Sequence, residues 1–143
     1  MPYVRIWVHV VWSTKYRKPW LEKEIRAELI SHILEHARIK NILIDSLNGY
    51  VDHLHALLAL KVNQDISSVM QIIKGESVFW MNKNKIIKKR FAWQDGYYAI
   101  STDKSGLPGI RKYIKYQEAH HTNKSWGQEI GELTSDEAVQ LFR

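Results

Sequence analysis

Residues 50–60, with the sequence Tyr-Val-Asp-His-Leu-His-Ala-Leu-Leu-Ala-Leu, decide how this chain folds. The stretch is largely apolar and contains no glycine or proline, so it predicts a buried strand. Successive side chains of a strand point to opposite faces, which places His53 and His55 side by side. The other face carries four apolar side chains: Leu54, Ala56, Leu58 and Leu60. The pattern predicts one face that packs in a core and one face that holds two imidazoles.

Three further strands are predicted around this stretch. Residues 3–13 alternate, with Val4, Ile6, Val8 and Val10 on one face and Arg5, Trp7 and His9 on the other. Residues 41–48 precede the His-containing strand, and the Asn48-Gly49 pair predicts the turn that joins the two. Residues 91–100 predict a last strand.

Three helices are predicted between and after the strands. Residues 21–38 repeat apolar side chains every four positions, at Ile25, Leu29, Ile33 and Ala37. A second helix begins near Asp65, a suitable N-cap, and its apolar face is Ile66, Val69, Met70 and Ile73. The third begins near residues 107–110, with Pro108 in its first turn, and runs to about His121.

The predicted order is β-α-β-β-α-β-α, which indicates an α+β fold. It is the ferredoxin-like, split βαβ plan: an antiparallel sheet with helices on one face and an extra C-terminal helix. We expect one domain over residues 1–143, with a core of about 3–122 and a tail of 123–143. The first six elements would also suit an RNA-recognition module, so the fold does not define the function.

Charge and composition indicate a polyanionic partner. The 143-residue chain has 21 basic and 15 acidic residues, a net charge of +6, and residues 83–90 carry five positive charges and no acid. Cysteine is absent, so disulfides and thiolate metal sites are excluded. Neither a membrane span nor a signal peptide is indicated, and a cytoplasmic, nucleoid-associated location is expected.

The predicted C-terminal helix carries a tyrosine and a glutamine that could act together with the His pair. Tyr113 and Gln117 are four residues apart and therefore share a helical face, which His120 and His121 extend. A tyrosine hydroxyl can attack a phosphodiester and keep the phosphate as an ester, and an amide oxygen suits a Mg²⁺-like ion. Tyr116 is a rival nucleophile with His120 at its own i+4 position, but Tyr113 is preferred because Gln117 suits a hard cation better. The alternative for Tyr113 is simple packing on the sheet, which would be favoured if the His pair were absent. Asp52 is expected to be a turn residue or to support a ligand.

These residues resemble the single-tyrosine HUH transposases of small prokaryotic insertion sequences, the IS200-like type, and their repeat-associated domesticated relatives. The resemblance covers about residues 5–122. Five separated motifs carry it: His9–Arg17, Asp52–His55, Ile73–Ser77, Trp93–Tyr97 and Tyr113–Gln117 with His120 and His121. It implies that Tyr113 attacks single-stranded DNA, forms a 5′-phosphotyrosine and releases a 3′-hydroxyl. The 3′-hydroxyl of a second strand then reverses the attack and joins new ends. It also implies that His53, His55 and Gln117 hold Mg²⁺ or Mn²⁺.

The resemblance further implies a homodimer that recognises DNA hairpins at element ends, with an active site that the two subunits share in some members. Candidate phosphate contacts are the basic residues near the first strand and the second helix: Lys15, Arg17, Lys18, Lys74, Ser77, Lys85, Lys88, Lys89 and Arg90. One or two aromatic side chains are expected to stack on bases, from the set Trp7, Trp12, Trp80, Trp93 and Tyr97. Two other functions stay open: a domesticated hairpin-specific nickase, and a catalytically silent single-strand-binding module.

Overall fold

The computed structural model describes residues 2–121, and for His120 and His121 it describes the backbone alone. Four strands form one antiparallel sheet: β1 (Ile6–Ser13), β2 (Leu43–Tyr50), β3 (His53–Leu60) and β4 (Tyr98–Thr102). Their spatial order is β2-β3-β1-β4, so β3 lies between the two strands that the first helix connects. This is the split βαβ arrangement that the sequence predicts. The predicted tail, 123–143, lies outside the described residues.

Two long helices cover one face of the sheet. Helix α1 (Lys23–Ile39) and helix α2 (Ile66–Lys83) bury their apolar stripes against the strands. The predicted N-cap is confirmed, because an Asp65 carboxylate oxygen accepts a hydrogen bond from the Ser68 amide at 2.8 Å. The strands contribute alternate side chains to this main core: Val8, Val10, Trp12, Leu54, Ala56, Leu58 and Leu60. The face predicted to be apolar is therefore the one that packs.

The C-terminal helix packs on the opposite face of the sheet. Helix α3 (Leu107–Lys115) has Pro108 in its first turn, as predicted, and buries Leu107 and Ile114 against Leu57 of β3. The prediction of one continuous helix to His121 is wrong, since Tyr116 separates α3 from helix α4 (Gln117–His121). None of the helices in the described part of the chain is long and apolar enough to cross a membrane.

The predicted Asn48-Gly49 turn is also wrong. Strand β2 continues through Gly49, which pairs with Leu54, and the turn is formed by Val51 and Asp52. A side chain at position 49 would clash, because an added Cβ would lie 2.1 Å from the carbonyl oxygen of His53. Glycine is thus required here by close strand approach rather than by a turn conformation.

The last strand is shorter than the predicted 91–100 segment. Phe91 and Trp93 leave the sheet and pack into the main core, where their rings lie 4.7 Å apart. Gly96 then redirects the chain with a φ of +83°, a left-handed conformation that favours glycine, before β4 begins at Tyr98. The aromatic residues of 91–97 therefore pack in or against the main core and do not form part of strand β4.

Candidate active site

The sheet pairing brings polar residues of three strands together on the face under α3. His55 lies between Asn48 of β2 and Val11 of β1, and His53 lies between Tyr50 and Ser13. Residues of neighbouring strands that pair directly point to the same face. The His pair shares one face, as the alternation predicts, and both side chains are completely buried with zero exposure.

Each imidazole of the pair makes a contact through Nδ1. The Nδ1 atom of His53 is 2.8 Å from Oδ1 of Asp52, and the Nδ1 atom of His55 is 3.0 Å from Nε2 of His9. Asp52 is therefore a turn residue that supports His53, as the sequence predicts. Hydrogen bonding through Nδ1 fixes the ring so that Nε2 is the nitrogen suited to bind a metal ion.

Asp52 also links the His pair to the basic loop after β1. Its second carboxylate oxygen accepts a hydrogen bond from Arg17 at 3.3 Å. Burial raises the pKa of the Asp52 carboxyl, but the hydrogen bond and charge of His53 together with the charge of Arg17 outweigh it, so the pKa lies below its ordinary value. Asp52 is consequently an anion that orients one imidazole and one guanidinium.

Tyr113 reaches the His pair, whereas Tyr116 lies on the surface. The Tyr113 ring lies 5.6 Å from the His55 ring and 6.3 Å from the His9 ring, in edge-to-face arrangements. Tyr116 caps the end of α3, is 47% exposed and stands beside the Lys115 ammonium. Of the two candidate nucleophiles, the fold brings Tyr113 to the imidazoles.

Gln117 is held at the helix break beside Tyr113. Its side chain is fully buried, and its amide Nε2 donates to the Tyr113 carbonyl at 3.3 Å. The Asn48 amide donates to the carbonyls of Ile114 and Lys115, both at 3.0 Å, which satisfies groups that a longer helix would have used. Gln117 is therefore the first residue of α4 and is buried beside Tyr113 at the helix break.

The donor chemistry of these residues suits a divalent cation. No group of three His, Asp, Glu or Cys side chains placed to hold a metal occurs among the described residues. The expected set is instead two imidazoles, from His53 and His55, and one amide oxygen, from Gln117. All three side chains are buried. The imidazoles follow the hairpin turn, and Gln117 follows the helix break. Because Gln117 donates through Nε2, its Oε1 is the atom suited to a hard cation.

Comparison with known proteins gives the family of the chain. The family model described as "Transposase IS200 like" matches residues 3–117 of the chain. The chain belongs to the IS200-like transposase family. It is 30% identical over 115 residues to the transposase for insertion sequence element IS200 of Salmonella typhimurium, across 76% of this chain and 74% of that protein. It is 24% identical over 114 residues to the ISDra2 transposase TnpA of Deinococcus radiodurans, across 76% and 81%.

Two solved structures share the fold of this IS200-like transposase. One is a crystal structure of a Deinococcus radiodurans protein assigned as a transposase, with a TM-score of 0.64 and 22% identity over 79% of this chain and 91% of that one. The other is a REP-associated tyrosine transposase bound to a REP hairpin, with a TM-score of 0.64 and 17% identity over 85% and 72%. The fold prediction is confirmed, and membership of the family makes the chain a DNA-transposition protein of a DNA-cleaving class.

Most of the basic residues predicted to contact DNA lie on the surface of this IS200-like transposase. Lys15, Lys18 and the run of Lys85, Lys88, Lys89 and Arg90 are exposed, and the Arg17 side chain is 43% exposed beside Asp52. The loop that carries the first group has left-handed φ values at Tyr16 and Arg17, 55° and 53°, and the Tyr16 amide donates to Oε1 of Gln94 at 3.1 Å. Thr14 fixes its end by donating to the Lys18 carbonyl at 2.7 Å.

Two predicted DNA contacts on α2 have structural partners instead. The prediction for Ser77 is wrong, because its hydroxyl is fully buried, donates to the Ile73 carbonyl and accepts from the Trp93 indole at 2.8 Å. The Lys74 ammonium donates to the carbonyls of Gln94 and Gly96 at 2.9 and 2.8 Å, and burial lowers its pKa, which the nearby Asp95 partly offsets. Lys74 therefore fastens the segment after α2 to the helix.

The aromatic side chains predicted to stack on bases mostly belong to the core. Trp12 is fully buried and Trp93 nearly so, with their rings 5.9 Å apart, while Trp80 stacks on His32 at 4.3 Å. Core packing, which is the more frequent fate of strand aromatics, is what the fold uses here.

Several residues near the site were missed by the sequence analysis. His9 was placed on the correct face of β1 but given no role, and Asn48 was assigned to a turn. Arg26, almost fully buried on α1, forms an ion pair with Glu118, the neighbour of Gln117 on α4. The signal for His9 was its position in the alternation of β1, but its partner follows only from pairing between strands that are distant in sequence.

Proposed function

We propose that this IS200-like transposase cleaves and rejoins single-stranded DNA at hairpin-flanked element ends through a Tyr113 phosphotyrosine, with a divalent metal. One observation carries the proposal: a tyrosine on a short helix stands 5.6 Å, ring to ring, from a buried imidazole of the His pair. The family match over residues 3–117 supports DNA cleavage as the class of chemistry.

The proposed reaction conserves the number of phosphoester bonds. The Tyr113 hydroxyl oxygen attacks the scissile phosphorus, the bond from phosphorus to the 3′-oxygen breaks, and the net transfer of one proton leaves a free 3′-hydroxyl. The DNA 5′-phosphate is then esterified to the tyrosine. A 3′-hydroxyl of a second strand reverses the attack, so the joined product forms without an external energy source.

His53, His55 and Gln117 are the residues that would hold Mg²⁺ or Mn²⁺ in this proposal. The ion would polarise the scissile phosphate and stabilise the charge that develops on its oxygens. Asp52 and His9 orient the two imidazoles through their Nδ1 atoms, at 2.8 and 3.0 Å. Such orienting partners help set metal affinity.

The proposed substrate is single-stranded DNA with hairpins at the element ends. The similarity in fold to a REP-associated tyrosine transposase bound to a REP hairpin supports a hairpin partner. The exposed cations Lys15, Arg17, Lys18, Lys85, Lys88, Lys89 and Arg90 are the proposed phosphate contacts, and their positive charge predicts binding that weakens steeply with salt. A nucleoid-associated location in the cytoplasm would follow from this partner.

We also propose a homodimer. In the described residues, Tyr113 lies beside His55 of the same chain. An arrangement in which the tyrosine serves the partner subunit would require α3 and α4 to leave strand β2, and with it the contacts of Asn48 to Ile114 and Lys115.

The experiment mixes the full chain with labelled single-stranded DNA that carries the hairpins flanking the gene, with Mn²⁺, with Mg²⁺ or with EDTA. Covalent adducts are resolved on a denaturing gel, and binding is followed in parallel by mobility shift. The wild type is compared with Tyr113→Phe, Tyr116→Phe and His55→Ala. Tyr116→Phe is the matched control, because it removes the same hydroxyl from a 47% exposed ring three residues away.

We expect a metal-dependent adduct that disappears in Tyr113→Phe and His55→Ala and persists in Tyr116→Phe. Loss in Tyr116→Phe alone would move the nucleophile and overturn the assignment of Tyr113. Hairpin binding with no adduct in Mn²⁺ or in Mg²⁺ would instead identify a silent binding module. Cleavage without strand joining would identify a hairpin-specific nickase.

A further inference from the structure

We propose that a groove between the loop after β1 and the segment after α2 binds one unpaired nucleobase of the DNA strand together with its flanking phosphates. The inference rests on the proposed function, because it concerns the same DNA. Trp20, Ile86 and Ile87 are the residues that would receive the base.

The groove is apolar at its base and large enough for a nucleotide. It encloses about 600 Å³, and Trp20, Ile25, Ile86 and Ile87 provide its apolar lining. Ligand pockets for small molecules span about 300–1,000 Å³. The Trp20 ring is partly buried and rests on Phe91 at a centroid distance of 5.6 Å, so the core fixes its orientation. A tryptophan held in this way is a rigid platform on which any base can stack.

The rim of the groove is positively charged. Lys18, Lys88 and Lys89 line it, all of them exposed, against the single carboxylate of Glu22. An apolar floor with an aromatic ring beneath a rim of lysines matches one class of ligand, a nucleotide with its phosphates. The charge balance favours an anion over a neutral apolar partner.

The groove is connected to the candidate active site through the loop of residues 14–21. The Thr14 amide donates to the Asp52 carbonyl at 2.9 Å, and the Leu21 amide donates to the Val51 carbonyl at 2.8 Å. Both ends of the loop are therefore fastened to the turn that precedes His53. Arg17, which contacts the Asp52 carboxylate, lies within this loop, next to Lys18 of the rim. A DNA strand leaving the His pair past Arg17 would arrive at Trp20.

The opposite wall of the groove exists because α2 ends abruptly. Asn84 caps the helix, and Lys85 takes a left-handed φ of 49°, which turns the chain. The Ile86 amide then donates to the Met81 carbonyl at 3.1 Å, and Ile86 and Ile87 face Trp20 across the groove. The basic run after α2 thus supplies both apolar and charged groups to one site.

An abasic scan tests whether a base occupies the groove. Hairpin-flanked single-stranded oligonucleotides, each with one abasic position beside the cleavage site, are titrated against the full chain in EDTA by fluorescence anisotropy. We expect one position at which the abasic change weakens binding about 5- to 150-fold, as expected for the loss of one stacked base. That penalty should vanish in Trp20→Leu and remain in Trp20→Phe, which keeps a ring.

Trp80→Leu is the matched control, because Trp80 is partly buried on α2, stacks on His32 and lies outside the groove. A base penalty that persists in Trp20→Leu, or that disappears equally in Trp80→Leu, would overturn the proposal. Adduct formation with the intact oligonucleotide is measured for each variant. If the Tyr113 adduct forms normally but no abasic position shows a penalty that depends on Trp20, only the groove proposal is contradicted. If the wild type does not bind the DNA, both proposals are contradicted.

Charge variants test the rim separately from the base. In a salt titration, log affinity falls linearly with log salt. Lys18→Gln and Lys88→Gln should each make this slope shallower by about 0.7, the value for one phosphate contact on single-stranded DNA. Glu22→Gln should tighten binding, because it removes the one negative charge of the groove. Lys40→Gln, an exposed lysine at the end of α1, should change nothing. Lysines of the rim that behave like Lys40 would contradict the phosphate contacts.

Discussion

Both faces of strand β3 are buried, but only the face under α3 carries polar side chains. Leu54, Ala56 and Leu58 pack against α1 and α2 with zero exposure, and His53 and His55 lie under α3, also with zero exposure. Buried hydrocarbon contributes about 25 cal/mol for each Å² removed from water. A buried imidazole loses hydration and needs hydrogen-bond partners in return.

Three separate elements supply polar contacts on the site face, two of them to the imidazoles. His9 of β1 contacts His55, Asp52 of the hairpin turn contacts His53, and Asn48 of β2 fixes the end of α3. A face that needs so many dedicated contacts contributes less to stability than the core face does. The comparison implies that substitutions on the two faces separate activity from stability.

The largest expected effect is the loss of activity in His55→Leu. The change removes a proposed metal ligand, so we expect the rate of adduct formation to fall at least about 1,000-fold, roughly 4 kcal/mol of barrier. Unfolding free energy should fall by about 1–3 kcal/mol, because the buried His9 loses its contact with His55, and this is less than the loss expected for a large cavity in the core. Adduct assays over a Mn²⁺ series and urea unfolding measure the two quantities. Normal activity at saturating Mn²⁺ would rule out the ligand role.

The mirror variant on the core face is Leu58→Ala. It leaves a cavity under α1 and α2, and we expect it to lower the unfolding free energy by about 2–5 kcal/mol. The rate of adduct formation per folded molecule should stay close to that of the wild type, because Leu58 points away from the His pair. Urea unfolding and an assay well below the melting temperature measure both. Loss of activity as large as in His55→Leu, with the protein still folded, would remove the contrast between the faces.

The next effect, on the site face, belongs to His9. If His55 binds a metal through Nε2, its Nδ1 carries the proton and donates to His9 Nε2 at 3.0 Å. Loss of such an orienting partner typically costs 10- to 100-fold in metal affinity, and we expect His9→Ala to raise the half-saturating Mn²⁺ concentration by about that factor. His9→Gln, which keeps an acceptor, should recover part of it. A fall in rate that no Mn²⁺ concentration corrects would contradict the positioning role.

Local patterns were sufficient for much of this fold and site. The alternation in residues 53–60 depends on neighbours in the chain, and the structure places the two imidazoles on one face as predicted. The four-residue spacing of Tyr113 and Gln117 predicts one continuous helix, which the structure instead divides at Tyr116. Asp65 was equally predictable, because an N-cap acts within one turn of its helix. Patterns of this kind are fixed by the geometry of a single element.

Contacts between distant segments could not be predicted from the local sequence patterns. His9 and His55 are 46 residues apart and meet only because β3 inserts beside β1. Ser77 extends the apolar stripe of α2, four residues after Ile73, so helical periodicity already indicates its burial, and only its bond from the Trp93 indole is a distant contact. At the break at Tyr116, Asn48 donates to the carbonyl of Ile114, 66 residues away. The errors at Asn48 and at Tyr116 arose where tertiary packing overrode a local signal.

The smallest expected effect concerns the ion pair that docks α3 on the sheet. Arg111 of α3 makes two hydrogen bonds of 2.9 Å to the Asp45 carboxylate of β2. The hydrogen bond from Arg111 lowers the pKa of Asp45, against the opposing effect of burial and with help from Ser46. A carboxyl whose pKa is depressed on folding adds stability above its unfolded pKa, near 3.9, and loses that stability as the pH falls through its lower folded value.

Asp45→Asn should therefore be less stable than the wild type at pH 6, and the gap should narrow as the pH falls below about 4, where the wild-type carboxyl begins to bind a proton. Because exposed ion pairs contribute little, the rate of adduct formation at pH 6 should fall by less than about fivefold. Glu35→Gln is the matched control, since Glu35 pairs with Arg38 on the outer surface of α1, away from α3. It should leave the adduct rate unchanged, so a fall confined to Asp45→Asn assigns the effect to the docking of the nucleophile helix. Equal rates in both variants would mean that Asn48 and the buried apolar residues of α3 hold Tyr113 without this ion pair. In that case the site face would depend on its interior contacts alone, as the core face does.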